Sequence, residues 1–467
     1  MQVRILLNLL KDHLSFRKSI LPIFLIAFSL FLFYSDFPLP HGDDLFFAGT
    51  SVHYAQTGNF LNPGVLDYTA EFSEIQKPYW FVPLHMRTLG WWLYLTDISD
   101  QSIRIYILLC IIITSLVFIK WSKISLSEPK IIPYLIPIIV TFGFRWSLRP
   151  ESTAIPLWTI GAFLIFHSCD KKKFWFGVSF LGLACLASQI LFIPSACIVL
   201  ASLTKKSERL PLIFKCQVIL ICVVQTLFLG ACLINFEIAE FVQMFSDHIE
   251  ARSSSIYQNL SLFYFLTCKL GNGYFLRFPS FVLLIIAFVP VLKWQGSNRP
   301  FLMGTLLSLV LMIFIYAKSF EIILFLVTTF TLIAVFELKK NIITFLTILT
   351  ILVFFRQGLY LCTYDFFCDR AKRYESLELD DKKTYVIDEF TIRHPLNWQF
   401  PEKWKIAPDF GTTNDRLLRK PKSEIWVMSY KNLSYFYPDL YQQEKIMFGN
   451  KQFVNLPVKF WNYSIIP

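Results

Sequence analysis

The chain has 467 residues, of which 55% are hydrophobic and only 16% charged, with 49 Phe and a mean hydropathy of +0.51. A soluble domain carries about a quarter charged residues, so that class is excluded and a polytopic membrane protein is expected. The net charge of +11 does not indicate nucleic acid, because the basic residues cluster in short loops between apolar runs, as orientation signals do.

Residues 1–18 carry Lys11, Arg17 and Lys18 and precede an apolar run from about 20 to 34. No small-residue cleavage site follows the run, so it reads as a retained first helix with its amino end in the cytoplasm. A long polar loop, residues 36–101, comes next. Further spans are expected at about 102–120, 131–148, 152–169, 174–190, 191–204, 210–234, 276–293, 300–316, 319–337 and 341–361. A crossing helix needs about 20 apolar residues, and these runs bring the count to about eleven.

Charge orients the bundle. Lys120, Lys123 and Lys130; Lys171, Lys172 and Lys173; Lys205, Lys206 and Arg209; Lys293 and Arg299; and Lys339 and Lys340 form five basic loops. With eleven helices all five fall on the side of the amino end, as the positive-inside rule requires. The opposite face receives the 36–101 loop, the turn at Arg149-Pro150-Glu151, a loop near 235–275, the turn at Lys318 and the carboxyl terminus.

Beyond about residue 363 the charges become mixed and frequent, and prolines punctuate the chain. Alternating stretches at Thr384–Asp388 and Glu424–Ser429 read as strands. The expected organisation is an all-α polytopic membrane module over residues 1–362 and a small α/β domain over 363–467, outside the membrane. Most of the ten Cys lie in apolar runs, where they act as small hydrophobes. Cys362 and Cys368 flank the last span and are a candidate disulfide.

Chemistry points to the outer face. Asp43 and Asp44 open the polar loop a few residues beyond the first span, in His41-Gly-Asp-Asp44-Leu-Phe-Phe-Ala-Gly-Thr. Carboxylates beside a bilayer are costly unless they work or are solvated. A helical repeat follows, with Gly58 suited to its end. One reading makes Asp43 an N-cap of an interfacial amphipathic helix. The other makes one carboxylate a general base. Farther on, Glu71, Glu74, Lys77 and His85 add acid and base; Lys77 suits a phosphate as a point charge, and ordinary solvation is the alternative for each.

Arg104 begins the second span and has a helix-end role as its alternative. In Arg145-Trp-Ser-Leu-Arg149-Pro150-Glu151, Pro150 fits a first helical turn and Glu151 the positive end of its dipole. Arg149 opposes that dipole and gains nothing from it, which favours binding of a lipid phosphate by Arg149 and Arg145. Lys318 occupies a short outer turn and is a further phosphate candidate. His248, Glu250 and Arg252 are weaker candidates in the other outer loop. No Gly-rich phosphate loop, metalloprotease helix or Gly-x-Ser-x-Gly elbow occurs.

These elements resemble the GT-C superfamily of polytopic glycosyltransferases, in particular the branch of bacterial protein mannosyltransferases and lipid A aminoarabinose transferases. The matching residues are Asp43-Asp44, Ala55-Gln-Thr-Gly58-Asn59, Lys77-Pro78 with Pro83-Leu84, and Arg104. The resemblance covers about residues 15–170 by motif and the rest by architecture. Asp44 stands where the family has Glu or Asp, and aromatics stretch the Lys-Pro element.

The resemblance implies an inverting transfer of a sugar from a polyprenyl-phosphate donor to a protein, lipid or glycan acceptor at the extracytoplasmic side of a bacterial inner membrane. Asp43 or Asp44 would take the acceptor proton. Lys77, Arg149 and Lys318 would stabilise the departing phosphate, with His85, Arg145 and Glu151 in the same substrate site. No motif demands a cofactor, and a divalent metal is the one candidate. The alternative from another class is a flippase or exporter of lipid-linked glycans, in which the basic residues guide a head group without chemistry.

Overall fold

The structure, a computed structural model, describes residues 42–61, 66–67, 73–74, 83–125, 149–167, 171–203, 298–316, 320–335, 384–388, 404–407, 424–429 and 463–466, with single positions 136, 140, 239, 242, 243, 246, 258, 261 and 439. The helices are α1 (Gly42–Thr57), α2 (Leu84–Leu95), α3 (Asp100–Ser125), α4 (Glu151–His167), α5 (Lys171–Ala187), α6 (Phe192–Leu203), α7 (Arg299–Tyr316) and α8 (Phe320–Val335). Helices α3 to α8 stand on six of the apolar runs read as spans. The runs at 20–34, 131–148, 210–234, 276–293 and 341–361 lie wholly or almost wholly outside the described residues, as do Cys362 and Cys368.

Within the first loop the structure departs from the sequence expectation. The stretch after Pro83, read as loop, is the 12-residue helix α2. Its apolar residues are spaced for one face: Met86, Leu89 and Leu93 are buried together with His85. Burial against α1 and α3 supplies what the short segment lacks alone, since isolated helices of about 12 residues are marginal in water.

One of the described helices, over Gln101–Ile124, is long and apolar enough to cross a membrane by itself. Its 24 residues reach roughly 36 Å at about 1.5 Å per residue. The segments Gln189–Ser202 and Arg299–Ile315 are apolar but shorter.

The helices share one core, in which the rings of Trp121, Trp158, Phe301, Phe325 and Phe330 are fully buried. Lipid tails are as apolar as Leu, so helices in a membrane gain by close packing rather than by leaving water. Helices α4 and α5 show this. A Cβ at Gly161 would stand 2.8 Å from the Gly177 carbonyl oxygen, and one at Gly177 would stand 2.9 Å from the Gly161 carbonyl oxygen. The two backbones therefore touch where neither has a side chain.

Several buried hydroxyls are satisfied within their own helices, as a setting without water favours. Thr114, Ser115, Thr159, Thr305 and Ser308 each donate to the carbonyl four residues back, at 2.7–3.0 Å. At the far end of α3 from the first loop, Trp121 Nε1 donates to Asn298 Oδ1 at 3.2 Å, which ties α3 to the start of α7.

The strands form two sheets. In the first loop β1 (Leu66–Asp67) pairs antiparallel with β2 (Ser73–Glu74). Beyond the bundle lie β3 (Thr384–Asp388), β4 (Trp404–Ala407), β5 (Glu424–Ser429) and β6 (Tyr463–Ile466), in the order β4-β3-β5-β6. Strand β3 runs parallel to both neighbours, and β6 closes the edge antiparallel to β5. Strands β3 and β5 coincide with the two stretches read as strands. Strand β1 also lies against β4, so the first loop meets the carboxyl-terminal sheet.

Candidate functional site

Helices α1 and α2 pack side by side. Ser51 Oγ donates to the Met86 carbonyl at 2.9 Å, and a Cβ at Gly90 would stand only 2.6 Å from the Tyr54 ring. The Arg87 guanidinium lies 4.2 Å from the Tyr54 ring centroid and 4.9 Å from that of Phe60. Trp91 Nε1 donates to the Tyr54 hydroxyl at 2.9 Å. A cation here sits beside the negative end of the α1 dipole.

Helix α1 ends as its sequence suggests. Gly58 takes φ 75° and its N–H donates to the Tyr54 carbonyl at 2.9 Å. In the left-handed region a side chain would be strained, which is why glycine suits this place. At the other end the helix begins at Gly42, so Asp43 and Asp44 are in its first turn rather than before it. Anions are favoured at that end. The Asp43 and Asp44 side chains lie outside what is described.

Helix α2 is tied in turn to the bundle. His85 has no exposed surface, and its Nδ1 stands 2.7 Å from Thr153 Oγ1 in the first turn of α4. Thr153 Oγ1 is also 2.5 Å from the Tyr106 hydroxyl of α3, which stands 2.9 Å from Thr88 Oγ1 of α2. The Phe47 ring edge and the tilted Tyr106 ring complete the surroundings of His85. Trp92 Nε1 donates to the Ser102 carbonyl at 2.8 Å. Three helices thus meet in one chain of hydrogen bonds, His85–Thr153–Tyr106–Thr88.

The start of α4 carries the second candidate group. Pro150 precedes the helix, and its carbonyl accepts from the N–H groups of Thr153 and Ala154 at 3.2 and 3.1 Å. Arg149 Nε and Glu151 Oε2 form an ion pair at 3.4 Å, with the side chains 20% and 6% exposed. This corrects the view that Arg149 gains nothing from its position: it stands outside the helix and neutralises the buried Glu151.

His85, Arg149 and Glu151 therefore gather around the first turn of α4, since Thr153 belongs to the same turn. Arg104 is half-buried on α3. Lys77, Arg145, Lys318, Glu71, His248, Glu250 and Arg252 lie outside the described residues. Tyr106, Thr153, Thr88 and Arg87 were not singled out from the sequence. Among the described residues no group of three or more His, Cys, Asp and Glu side chains is placed to hold a metal ion.

No protein-family model and no curated protein matches the sequence. Solved structures do match in fold. The crystal structure of ArnT from Cupriavidus metallidurans in the apo state aligns with a TM-score of 0.56 at 14% identity, over 94% of this chain and 96% of that one. The chain shares its fold with ArnT. The crystal structure of ArnT bound to undecaprenyl phosphate aligns with a TM-score of 0.51 at 13% identity, over 96% of this chain and 97% of ArnT. The fold likeness to ArnT thus extends along nearly the whole chain, where the resemblance read from the sequence had motifs over about residues 15–170 only.

Proposed function

We propose that this protein is an inverting membrane glycosyltransferase that moves a sugar from a polyprenyl-phosphate donor to a protein, lipid or glycan acceptor. The end-to-end likeness to ArnT, one of whose structures holds undecaprenyl phosphate, is the observation that carries this reading. The reaction takes place at the extracytoplasmic side of a bacterial inner membrane, with the amino terminus cytoplasmic and the carboxyl terminus, including the unit 363–467, extracytoplasmic.

The residues divide the work. The acceptor hydroxyl attacks the anomeric carbon, the bond to the lipid phosphate breaks, and the configuration inverts. Asp43 or Asp44 accepts the hydroxyl proton. The polyprenyl phosphate leaves as a stable anion, so it needs cations more than an acid. Arg149, Lys77, Arg145 and Lys318 supply them, and Glu151 holds Arg149 in place. His85, fully enclosed, positions α2 against α4 and acts on the substrate through that placement. The reaction balances without a cofactor; a divalent metal remains a matter for chelation with EDTA.

The test is mass spectrometry of surface glycans and lipids from cells carrying the wild-type gene or the Asp43→Asn variant. Loss of one sugar addition in the variant, with protein level unchanged, supports the reading. Unchanged additions in both Asp43→Asn and Asp44→Asn cells would refute it. A lipid-linked glycan retained on the cytoplasmic side would instead identify a flippase.

A further inference from the structure

We propose, on the glycosyltransferase reading, that Tyr106 and Thr88 are positioning residues for the sugar transfer. They fix His85 in a single tautomer, Nδ1–H. Through the contact of the His85 ring with Phe47 they hold the first turn of α1, the turn of Asp43 and Asp44, in place for the attack.

Each hydroxyl in the chain His85–Thr153–Tyr106–Thr88 has one proton to give, so one end of the chain sets the direction of every bond. Thr88 Oγ1 lies 3.0 Å from the Leu84 carbonyl oxygen and 2.9 Å from that of His85. A carbonyl only accepts, so the Thr88 proton goes to this pair. Thr88 then accepts from the Tyr106 hydroxyl at 2.9 Å, Tyr106 accepts from Thr153 at 2.5 Å, and Thr153 accepts from His85 Nδ1 at 2.7 Å. The reverse direction would set the Thr88 oxygen against two carbonyl oxygens with no proton between them.

His85 is therefore protonated at Nδ1, and in the neutral ring the lone pair is on Nε2. Thr153 alone could not select this tautomer, because its hydroxyl can give a proton to Nδ1 as readily as accept one. The choice is made farther along, where Tyr106 needs an acceptor and Thr88 is the acceptor whose own proton is already committed. Removing either hydroxyl frees Thr153 to donate to His85, and the ring is then free to change tautomer.

The effect reaches α1 through Phe47, whose buried ring stands edge-on to His85 with the centroids 6.3 Å apart. A helical side chain leans over the turn before its own, which for Phe47 is the turn of Asp43 and Asp44. One turn farther on, Ser51 Oγ donates to the Met86 carbonyl at 2.9 Å. Helix α1 thus meets α2 at two levels. Ser51 fixes the body of the helix, and the His85 ring supports its first turn. That ring takes its own place from Thr153 of α4 and Tyr106 of α3.

The test uses the full chain with isotope-labelled histidine in detergent micelles, as wild type, Tyr106→Phe, Thr88→Val and Thr88→Ser. Proton–nitrogen correlation spectra separate a protonated ring nitrogen from one with a lone pair, and His85→Asn marks the His85 signals among the seven histidines. Wild type and Thr88→Ser should show His85 as Nδ1–H alone, and Tyr106→Phe and Thr88→Val both tautomers. Sugar addition per folded molecule, read by mass spectrometry of surface glycans and lipids, should fall by up to about 100-fold in the Phe and Val variants, the scale for misplacement by about 1 Å. Affinity for undecaprenyl phosphate, titrated by native mass spectrometry, should not change, and Thr88→Ser should match wild type throughout. An Nε2–H tautomer in the wild type would overturn the proposal. So would wild-type addition in both hydroxyl-deleting variants, a loss that only follows the amount of folded protein, or weaker binding of undecaprenyl phosphate in place of slower addition. No sugar addition by the wild type would sink the glycosyltransferase reading and the positioning role with it, while the spectrum would still decide the direction of the chain.

Discussion

His85 and Thr153 lie 68 residues apart in the chain, yet His85 Nδ1 stands 2.7 Å from Thr153 Oγ1 with His85 fully enclosed. Thr153 also meets the Tyr106 hydroxyl. Thr153→Val keeps the shape and strips a hydrogen-bonding partner from both. An unsatisfied buried polar group costs about 1–3 kcal/mol. The variant should lose thermal stability in detergent by about that much, and Thr153→Ser should stay near wild type. The fraction of monodisperse protein after heating measures both, and equal losses in Val and Ser would show that the hydroxyl contributes nothing.

Gly161 and Gly177 bring α4 and α5 into backbone contact. In Gly161→Ala the new Cβ would meet the Gly177 carbonyl at 2.8 Å, and backbone cannot yield as a side chain can. Overpacking of this kind costs about 1–3 kcal/mol. The expected outcome is a lower melting temperature and less protein inserted, with larger effects for Gly161→Leu. Wild-type stability in Gly161→Ala would mean that the helices can separate freely.

Asp43→Asn should abolish sugar transfer while the protein still folds and inserts. Neighbouring helical positions point about 100° apart, so one of Asp43 and Asp44 faces the substrate and the other Asn variant should retain activity. Turnover per molecule of purified variant decides which. Full activity in both would remove the carboxylates from the mechanism.

Six helices were legible because long apolar runs mark them, and strands β3 and β5 because alternation marks them. Helix α2 was not. Leu84-His-Met-Arg-Thr-Leu-Gly-Trp-Trp-Leu-Tyr-Leu95 is short, opens without a side-chain cap and carries Gly90, so its helicity depends on packing against α1 and α3. The His85 junction was hidden for a related reason. Thr153 and Tyr106 look like ordinary residues of apolar helices, and only the tertiary fold brings them to His85. Arg149 was noticed as a cation at the wrong end of a dipole. Its pairing with Glu151, two residues on, escaped notice because residues so spaced within a helix do not face each other; Arg149 lies just outside the helix.

Topology offers an independent check. A reporter fused after residue 467 should be extracytoplasmic, and one fused near Lys172, at the start of α5, cytoplasmic. The basic loops motivate both expectations. A cytoplasmic carboxyl terminus would require an even number of spans, and would place strands β3 to β6 on the side away from the chemistry.

Arg149 has two roles to separate, because it pairs with buried Glu151 and is also the cation proposed to hold the donor phosphate. Removing one member of a buried pair leaves the other charged and uncompensated, so Arg149→Ala should lower expression and stability whether or not it binds substrate. The double variant Arg149→Ala with Glu151→Gln removes both charges and should recover much of that loss. A charge-assisted phosphate contact is worth about 1.5–3 kcal/mol, or roughly a 10- to 150-fold loss in kcat/KM at 1.4 kcal/mol per decade. If Arg149 binds donor, both variants should show this loss per folded molecule, chiefly as a raised KM for the lipid donor. Arg149→Lys should recover only part of it, since Lys lacks the bidentate fork. A double variant with restored stability and wild-type donor kinetics would leave Arg149 as the partner of Glu151 and nothing more.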